Sequence, residues 1–413
     1  MTTDYRPEII QSAFIDFLGS HLNRFWSLTV PRVRLIARHR LNDELIALEF
    51  EINQAFRRQA FVAKEDWQAG QYISLSVPID GIYHQRTYSL VGLFQQPLDL
   101  KKSILQSAVD SNSINKKNSH YKNTFTIAVK PQGLVSNDLT RSAVLGTVYD
   151  SGLPEGNFTL DAMRNPFDQQ SDKVPFSSKT SLLFIASGSG ITPMLGLVIQ
   201  ALQRKHSITL LYYHRHPVTR TPFMSYWQSL AANYQAFNYH IVSTSEPETY
   251  LANSRYLTSV SLLALQLPLE DIVIFACGSP SLLASLYQAA DEIKLSNNES
   301  LKNYIITENF GTTAAINTTA QTNLDHVVNS KPQKIHIRNR QQQFTTDKTL
   351  LIGAEQAGVR LPFGCRQGIC QLCRCQKVSG VVKNIQTSHV STNGYESIQT
   401  CINIAVTDVV LEV

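Results

Sequence analysis

Residues 365–373 read Cys-Arg-Gln-Gly-Ile-Cys-Gln-Leu-Cys, and a further thiol follows at Cys401. Five of the six cysteines of the 413-residue chain therefore lie at position 365 or later, and the sixth is Cys277. In a chain without an export signal, thiols clustered in this way more often hold a metal or carry out redox chemistry than form a disulfide framework. The C-terminal part of the chain is thus expected to form a unit of its own.

The spacing of these thiols is that of a plant-type 2Fe-2S site, in which three ligands lie close together and the fourth is remote. We predict four iron ligands, which are Cys365, Cys370, Cys373 and Cys401. A structural zinc site is the alternative, but zinc sites with four thiolates usually show two close pairs. Cys375 falls outside the pattern and is expected not to bind iron.

Composition and charge narrow the class of protein. The 37 Lys and Arg residues against 32 Asp and Glu residues leave a net charge of +5, which does not favour a nucleic-acid binder. No stretch approaches the roughly 18 consecutive apolar residues of a membrane span, and the first residues lack the pattern of a secretory signal. We expect a globular cytoplasmic protein with two to four domains, at about 100 to 200 residues per domain.

The first part of the chain has the pattern of a β-rich domain. Residues 1–28 are expected to form a helical extension, either an amphipathic helix packed on its own protein or a docking helix. Short runs rich in β-branched and aromatic residues predict an antiparallel barrel over residues 29–165. Residues 95–123 interrupt it and are expected to form a surface insertion. The predicted strands are Val33–Ala37, Glu44–Glu51, Gln71–Val77 and Arg86–Val91.

Apolar strands alternate with helical segments over residues 176–310, which predicts a parallel sheet with crossover helices. Residues 311–332 are small and polar and are expected to be a linker. Residues 333–413 should form a third unit around the cysteines. The predicted strands are Ser181–Ala186, Ile208–Tyr213, Asp271–Ala276, Lys334–Asn339 and Ile402–Val413, with helices from Pro193, near Trp227 and from Pro280.

Two segments of the predicted barrel have the chemistry of a flavin site. Arg86-Thr87-Tyr88-Ser89 supplies a cation for a phosphate, an aromatic face for the ring and a hydroxyl near the position where hydride arrives. Alternation along a strand places Arg86 and Tyr88 on one side and Thr87 and Ser89 on the other. The second segment, Lys130–Leu139, brings Gly133 and Ser136 before a predicted helix, whose free N–H groups can hold a pyrophosphate.

Gly188-Ser189-Gly190-Ile191-Thr192-Pro193 follows an apolar strand and has the context of a dinucleotide-binding turn. Thr192 is expected to cap the following helix and Pro193 to occupy its first position. Pro193 stands where the usual fingerprint has its third glycine. A second turn of this kind reads Cys277-Gly278-Ser279-Pro280. Between Ile208 and Phe223 there is no Asp or Glu, and Arg215 and Arg220 can meet a 2′-phosphate, so NADPH is preferred over NADH.

Together these motifs resemble the ferredoxin-NADP reductase superfamily, in the branch with a C-terminal plant-type ferredoxin domain, over about residues 30–413. The resemblance implies a multi-domain chain with an antiparallel β-barrel flavin domain, an α/β nicotinamide domain and an α+β β-grasp ferredoxin domain. The implied cofactors are FAD, a 2Fe-2S cluster and NADPH or NADH. Ser279, where the family commonly has Pro, and the 95–123 insertion depart from the family pattern.

The resemblance also implies roles for individual residues. Ser89, Cys277 and Glu308 would be catalytic, with Ser89 near flavin N5 and Cys277 beside the nicotinamide. The residues implied to bind FAD are Arg86, Thr87, Tyr88, Ser89, Lys130, Gly133, Leu134, Val135 and Ser136. Those implied to bind the nicotinamide nucleotide are Gly188, Gly190, Thr192, Arg215, Arg220, Cys277, Gly278 and Phe310.

By this resemblance the chain passes electrons from NAD(P)H to a separate acceptor protein. A membrane di-iron fatty-acyl desaturase or hydroxylase is preferred, which implies peripheral membrane association through the partner. The first alternative is a soluble di-iron or Rieske oxygenase, or another redox protein, as the acceptor. The second is a non-catalytic redox sensor or binding module. Residues 333–413 hold nine Lys and Arg residues against five Asp and Glu residues. We predict that Arg360, Arg366, Arg374 and Lys377 form a basic docking face.

Overall fold

The computed structural model describes residues 12–60, 67–93, 123–163, 180–296, 300–309, 332–363, 373–385 and 390–413. The chain divides into two compact units, Met1–Asn309 and Phe310–Val413. Most of the predicted insertion, most of the linker, Phe310, Cys365, Arg366 and Cys370 lie outside the described residues. No helix in the described ranges is long and apolar enough to cross a membrane.

The N-terminal helix α1 (Ser12–Leu22) is attached through its polar side. The Asp16 carboxylate accepts hydrogen bonds from the backbone N–H of Leu28 at 2.7 Å and from the Ser27 hydroxyl at 3.0 Å. Trp26 covers Gly19 so closely that a Cβ there would overlap its ring. The apolar side chains of Phe17, Leu18 and Leu22 stay exposed, at 56%, 48% and 91%. The expectation that the apolar positions pack on the protein is therefore wrong for these three, because Asp16 and Gly19 provide the attachment.

A closed antiparallel barrel follows, in the order β1-β2-β5-β4-β3-β6. In β3, Ile73, Leu75 and Val77 are fully buried and alternate with less buried serines, as the two-residue period of a strand requires. Asp80 and Gly81, both with left-handed φ, form the tight turn to β4. The barrel elements are β1 (Arg32–Arg40), β2 (Ile46–Ile52), α2 (Gln54–Ala60), β3 (Tyr72–Ile79), β4 (Ile82–Val91), β5 (Thr124–Val129), α3 (Leu134–Asn137) and β6 (Val148–Ser151).

The second half of the first unit is a parallel sheet in the order β11-β10-β7-β8-β9. Its central strands are apolar throughout because both faces are buried, and helices cover the sheet. The elements are β7 (Ser181–Ser187), α4 (Met194–Gln203), β8 (Ser207–His214), α5 (Met224–Asn233), β9 (Phe237–Ser243), α6 (Ser259–Leu263), β10 (Ile272–Gly278), α7 (Pro280–Glu292) and β11 (Ile305–Asn309). The sequence analysis predicted no strand at β9 or β11, whose short runs mix polar and apolar residues.

The C-terminal unit contains a five-stranded mixed sheet in the order β13-β12-β18-β14-β16 and a separate β15–β17 pair. The segment predicted as one strand from Ile402 to Val413 forms β17 and β18, because the chain bends at Val406 and Thr407. The elements are β12 (Gln333–Ile337), β13 (Gln342–Thr346), α8 (Leu350–Gln356), β14 (Arg374–Ser379), β15 (Val382–Asn384), β16 (Glu396–Gln399), β17 (Asn403–Ala405) and β18 (Val409–Glu412).

The predicted basic face of this unit requires a correction. Arg360 and Arg374 are exposed, but Lys377 is fully buried. Its ammonium group donates hydrogen bonds to the carbonyl oxygens of Thr392 at 2.8 Å and Gly394 at 2.7 Å. Lys377 therefore belongs to the interior of the unit and cannot meet a partner, because its side chain is turned inward on β14 while Arg374 faces solvent.

Candidate active site

The glycine turn after β7 leaves an open space at the end of the sheet. Gly188 has a left-handed φ of 53°, and a Cβ there would meet nothing within 4 Å. Gly190 lies against the end of β10, where a Cβ would come within 2.1 Å of the Cys277 carbonyl oxygen. The hydroxyl of Tyr212 on β8 donates to the Gly188 carbonyl at 2.9 Å and holds the turn. This combination of an open side and a close backbone approach fits a bound dinucleotide.

Thr192 does not cap the following helix, contrary to the sequence-based expectation. A 3-10 turn over Gly188–Ile191 leads into α4, and Thr192 already has helical φ and ψ. A capping residue needs an extended backbone, so the buried Thr192 cannot take that position, and Pro193 precedes the helix without a side-chain cap. Ser279 behaves as expected, since its hydroxyl accepts from the N–H of Leu282 at 3.3 Å and Pro280 begins α7.

The three residues implied to be catalytic come from both halves of the first unit. Cys277 on β10 is the register partner of Glu308 on β11. The hydroxyl of Ser89 on β4 lies 3.5 Å from Glu308 Oε2, which joins the barrel to the end of the parallel sheet. Ser89 and Glu308 are buried, and the Cys277 thiol is fully enclosed. In this contact the Ser89 hydroxyl donates and Glu308 Oε2 accepts.

Burial controls the protonation of Glu308 and Cys277. It raises the pKa of Glu308 to about 8, although the hydrogen bond from Ser89 acts in the opposite direction. Burial, and then the neighbouring Glu308, also raise the pKa of the Cys277 thiol. At neutral pH both groups are thus uncharged, and a neutral site next to a reacting ring is consistent with hydride chemistry.

The flavin segment lies along β4, with its residues in different environments. Arg86 is exposed, and its guanidinium donates to the Gln85 carbonyl at 2.8 Å. Tyr88 packs against the barrel core, and burial raises its pKa above the usual range. Thr87 is half-buried, and Ser89 faces Glu308. The strand thus presents a cation, an aromatic ring and a hydroxyl within four residues, a set that fits a flavin.

The second predicted flavin segment forms a tight turn before α3. The Ser136 hydroxyl accepts from the N–H groups of Gln132 at 3.1 Å and Gly133 at 2.9 Å. Leu134 is exposed, and Val135 is buried in the barrel core. The helix continues as a π-helical turn over Asp138–Ser142. The Lys130 ammonium donates to Glu44 Oε1 at 2.7 Å and is therefore already paired.

The loop after β8 contacts the barrel in a way that the sequence did not indicate. Arg220 forms an ion pair with Asp43, and His216 Nε2 lies 3.3 Å from Glu44 Oε1. Arg215 is exposed and forms no ion pair among the described residues. The sequence did not indicate these contacts of Asp43 and Glu44, because the two residues lie more than 170 positions from the loop, in an ordinary polar turn.

In the C-terminal unit, two of the predicted iron ligands lie side by side. The sulfurs of Cys373 and Cys401 are 3.1 Å apart, and both residues are buried. The Thr400 N–H donates to the Cys373 carbonyl at 3.0 Å, which keeps the two segments together. Two buried thiols from distant segments are a donor pair that fits iron. Cys375, two residues from Cys373, faces the core of the unit.

Two family models match parts of the chain. The 2Fe-2S iron-sulfur cluster binding domain matches residues 335–403, and the oxidoreductase NAD-binding domain matches residues 184–288. These matches cover the cysteine cluster and the glycine turn of the parallel sheet.

Several curated proteins resemble most of the chain. An NADPH oxidoreductase of Mycobacterium tuberculosis is 26% identical over 394 residues, which are 95% of this chain and 86% of that protein. A glycine betaine monooxygenase reductase subunit of Chromohalobacter salexigens is 22% identical over 333 residues, with 76% and 78% covered. One component of the 1,2-phenylacetyl-CoA epoxidase of Escherichia coli is 23% identical over 380 residues, with 87% and 89% covered.

Among solved structures, an intact type IV self-sufficient cytochrome P450 monooxygenase shares the fold, with a TM-score of 0.58 and 17% identity. The likeness covers 93% of this chain, which spans 41% of that larger protein. With FAD, a 2Fe-2S cluster and NAD(P)H as its cofactors, the chain is an oxidoreductase of the ferredoxin reductase type, built from a flavin barrel, a nicotinamide domain and a C-terminal 2Fe-2S domain.

Proposed function

We propose that this oxidoreductase takes hydride from NADPH and delivers single electrons to a separate oxygenase component. The observation that carries the proposal is the presence, in one chain, of the Ser89–Glu308 contact and of the buried Cys373–Cys401 thiol pair. Bound FAD accepts two electrons as hydride and releases them singly, whereas a 2Fe-2S cluster accepts one at a time. A chain with both sites can therefore convert a two-electron donor into a one-electron source.

The proposal assigns the flavin and the hydride site to residues of the first unit. Arg86 would provide positive charge for the FAD phosphates, Tyr88 the aromatic face, and Thr87 and Gly133–Ser136 polar and backbone contacts. Lys130 would lie beside them with its ammonium group paired to Glu44. Ser89 and Glu308 would position the reacting edge of the flavin and hold a proton between them. Because the Cys277 thiol is enclosed, contact with a nicotinamide requires displacement of the residues that cover it.

The nicotinamide nucleotide would bind across the end of the parallel sheet. Gly188, Gly190 and Thr192 would line its pyrophosphate, Gly278 and Cys277 its nicotinamide end, and Phe310 would follow Glu308 at the closing segment. Arg215 and Arg220 lie in the loop after β8 that would meet the 2′-phosphate of NADPH, and Arg220 is already paired with Asp43 there. The cluster would be held by Cys365, Cys370, Cys373 and Cys401. We further propose a cytoplasmic location, where reduced nicotinamide nucleotides are available.

For the electron acceptor we propose a membrane di-iron fatty-acyl desaturase or a related hydroxylase. The exposed apolar side chains Phe17, Leu18 and Leu22 on α1 support an acceptor at a membrane surface, because apolar groups grouped on one helix favour such a contact. The names of two relatives, a monooxygenase reductase subunit and a component of an epoxidase, favour an oxygenase partner in general. A soluble di-iron or Rieske oxygenase is the alternative acceptor.

Reconstitution distinguishes these acceptors. The purified holoprotein would be combined with NADPH and either desaturase-containing membranes or a soluble di-iron or Rieske oxygenase, and product formation would be measured. We expect NADPH-dependent product with the membrane enzyme, and none when the reductase carries Cys373→Ser. Turnover with the soluble oxygenase alone would overturn the desaturase assignment, and turnover with neither, despite flavin reduction, would overturn the oxygenase proposal.

A further inference from the structure

The turn between β1 and β2 reaches the loop after β8 and neutralises one of its two arginines. Asp43 Oδ2 forms the ion pair with the Arg220 guanidinium. The side-chain amide of Asn42 donates to the Arg220 backbone carbonyl at 2.9 Å. The β1–β2 turn therefore contacts Arg220 at two points, through an ion pair with its side chain and a hydrogen bond to its backbone carbonyl.

This loop occupies the place where a 2′-phosphate is expected. It follows β8, the strand adjacent to β7, and β7 ends in the glycine turn. In nucleotide-binding sheets the end of this second strand recognises the adenosine ribose, and an arginine there accommodates the 2′-phosphate of NADPH. The loop offers Arg215, which has no ion-pair partner among the described residues, and Arg220, which has one.

We propose that Asp43 is a specificity-determining residue, which withholds Arg220 from the 2′-phosphate and leaves Arg215 as the cation that recognises NADPH. This inference rests on the proposed nucleotide site. A carboxylate and a phosphate are alternative partners for the same guanidinium, since both accept from its planar set of donors. While Asp43 holds Arg220, a 2′-phosphate gains from that arginine only by displacing the carboxylate.

The surroundings of Asp43 indicate that its charge can be removed without moving the loop. Its other oxygen accepts from Arg40 at 2.9 Å. The next residue, Glu44, pairs with Lys130 at 2.7 Å and lies near His216, so the turn stays anchored to both domains. The Asn42 contact with the Arg220 backbone also remains in an Asp43 variant.

Equilibrium binding tests the inference without relying on turnover. The holoprotein would be titrated calorimetrically with 2′,5′-ADP, which carries the 2′-phosphate, and with 5′-AMP, which lacks it. Asp43→Asn should tighten 2′,5′-ADP by about three- to ten-fold and change 5′-AMP by less than about two-fold. Arg215→Gln should weaken 2′,5′-ADP by about ten-fold, whereas Arg220→Gln alone should change it by less than about two-fold.

A double variant connects the gain to Arg220. In the Asp43→Asn background, Arg220→Gln should abolish the added affinity, because the freed guanidinium is its source. Arg40→Gln is the matched control, since it removes the other partner of Asp43 and should leave both affinities unchanged. The ratio of kcat/KM for NADPH to that for NADH should follow the binding data.

Two results separate this inference from the nucleotide proposal on which it rests. Unchanged 2′,5′-ADP affinity in Asp43→Asn, or an Arg220→Gln loss as large as that of Arg215→Gln, would overturn the role of Asp43. Equal wild-type affinity for the two probes, with no effect of Arg215→Gln, would instead overturn the NADPH preference. In that second case Asp43→Asn should still tighten 2′,5′-ADP if Asp43 withholds Arg220.

Discussion

At the scale of single residues, Glu308 shows how burial sets chemistry. Its carboxyl lies at the end of β11 with Ser89 as its hydrogen-bond partner at 3.5 Å. Because burial raises its pKa to about 8, the folded protein keeps a proton that the unfolded chain, with an ordinary value of 4.5, has lost at neutral pH. The folded state therefore loses stability as the pH rises between these two values.

Glu308→Gln should remove this pH dependence. Relative to the wild type, the free energy of unfolding of the variant should increase as the pH rises from about 5 to about 8.5, by up to about 3 kcal/mol. Thermal or denaturant unfolding of both holoproteins across this range measures the difference. Parallel stability curves for the two proteins would contradict the raised pKa.

Cys375 and Cys373 are two residues apart and differ in their expected role. Cys373 faces the Cys401 sulfur at 3.1 Å, whereas Cys375 lies within β14 opposite Ile398. Cys373→Ser should abolish or severely perturb the visible absorbance of the cluster, while Cys375→Ser should leave it unchanged, because only Cys373 fits the plant-type spacing. Bleaching of the Cys375→Ser protein would show that the ligand assignment is wrong.

At the scale of elements, the pairing of β14 with β16 positions the described thiols. Cys373 directly precedes β14, and Cys401 follows β16 by two residues. Lys377 on β14 is opposite Glu396 on β16, and its buried ammonium also binds the loop that leads into β16. This lysine therefore acts as an internal support of the edge strand before Cys401.

Lys377→Met should destabilise the C-terminal unit by about 1 to 3 kcal/mol, because it leaves the Thr392 and Gly394 carbonyls without their donor. Lys348→Met, at an exposed position, is the control and should change stability by less than about 0.5 kcal/mol. Denaturant unfolding, followed by loss of cluster absorbance, measures both effects. Equal stability of the two variants would contradict the supporting role of Lys377.

At the scale of the whole molecule, the chain joins a hydride-accepting unit to a positively charged electron-delivering unit. Residues 333–413 have nine basic against five acidic residues, and the described exposed cations next to the cluster segment are Arg360 and Arg374. Positive charge on the delivering unit favours an acidic partner surface or an anionic membrane, and it acts mainly on the rate of encounter.

Electron delivery to the acceptor should slow as salt rises from about 0.1 M to 1 M, since the Debye length falls from about 10 Å to about 3 Å. Arg374→Glu should slow it further by about ten-fold at low salt, whereas flavin reduction by NADPH should stay near the wild-type rate. Arg338→Glu makes the same charge change as Arg374→Glu at a position that pairs with Glu412 in the wild type, and it is the variant with which Arg374→Glu is compared. Stopped-flow measurement of flavin reduction and of electron delivery tests this prediction. If neither salt nor Arg374→Glu changes the rate of delivery, the positive charge of the C-terminal unit has no role in docking.

The sequence alone determined the fold class, the 2Fe-2S domain and the order of the domains, because these depend on local information. These local patterns are thiol spacing, glycine turns after apolar strands, and two-residue alternation. Patterns of this kind predicted the central strands β7, β8 and β10 closely. The missed strands include the edge strands β9 and β11 of the parallel sheet and also β5, which is buried along its whole length inside the barrel.

The tertiary structure alone decided which distant groups meet. It brought Ser89 to Glu308, more than 200 positions away, raised the pKa of that carboxyl by burial, and turned Lys377 inward although its charge suggested a surface role. It also placed Asp43 against Arg220, a contact between two ordinary polar loops. Burial and long-range pairing depend on how strands stack and close into sheets, so no local pattern of residues encodes them.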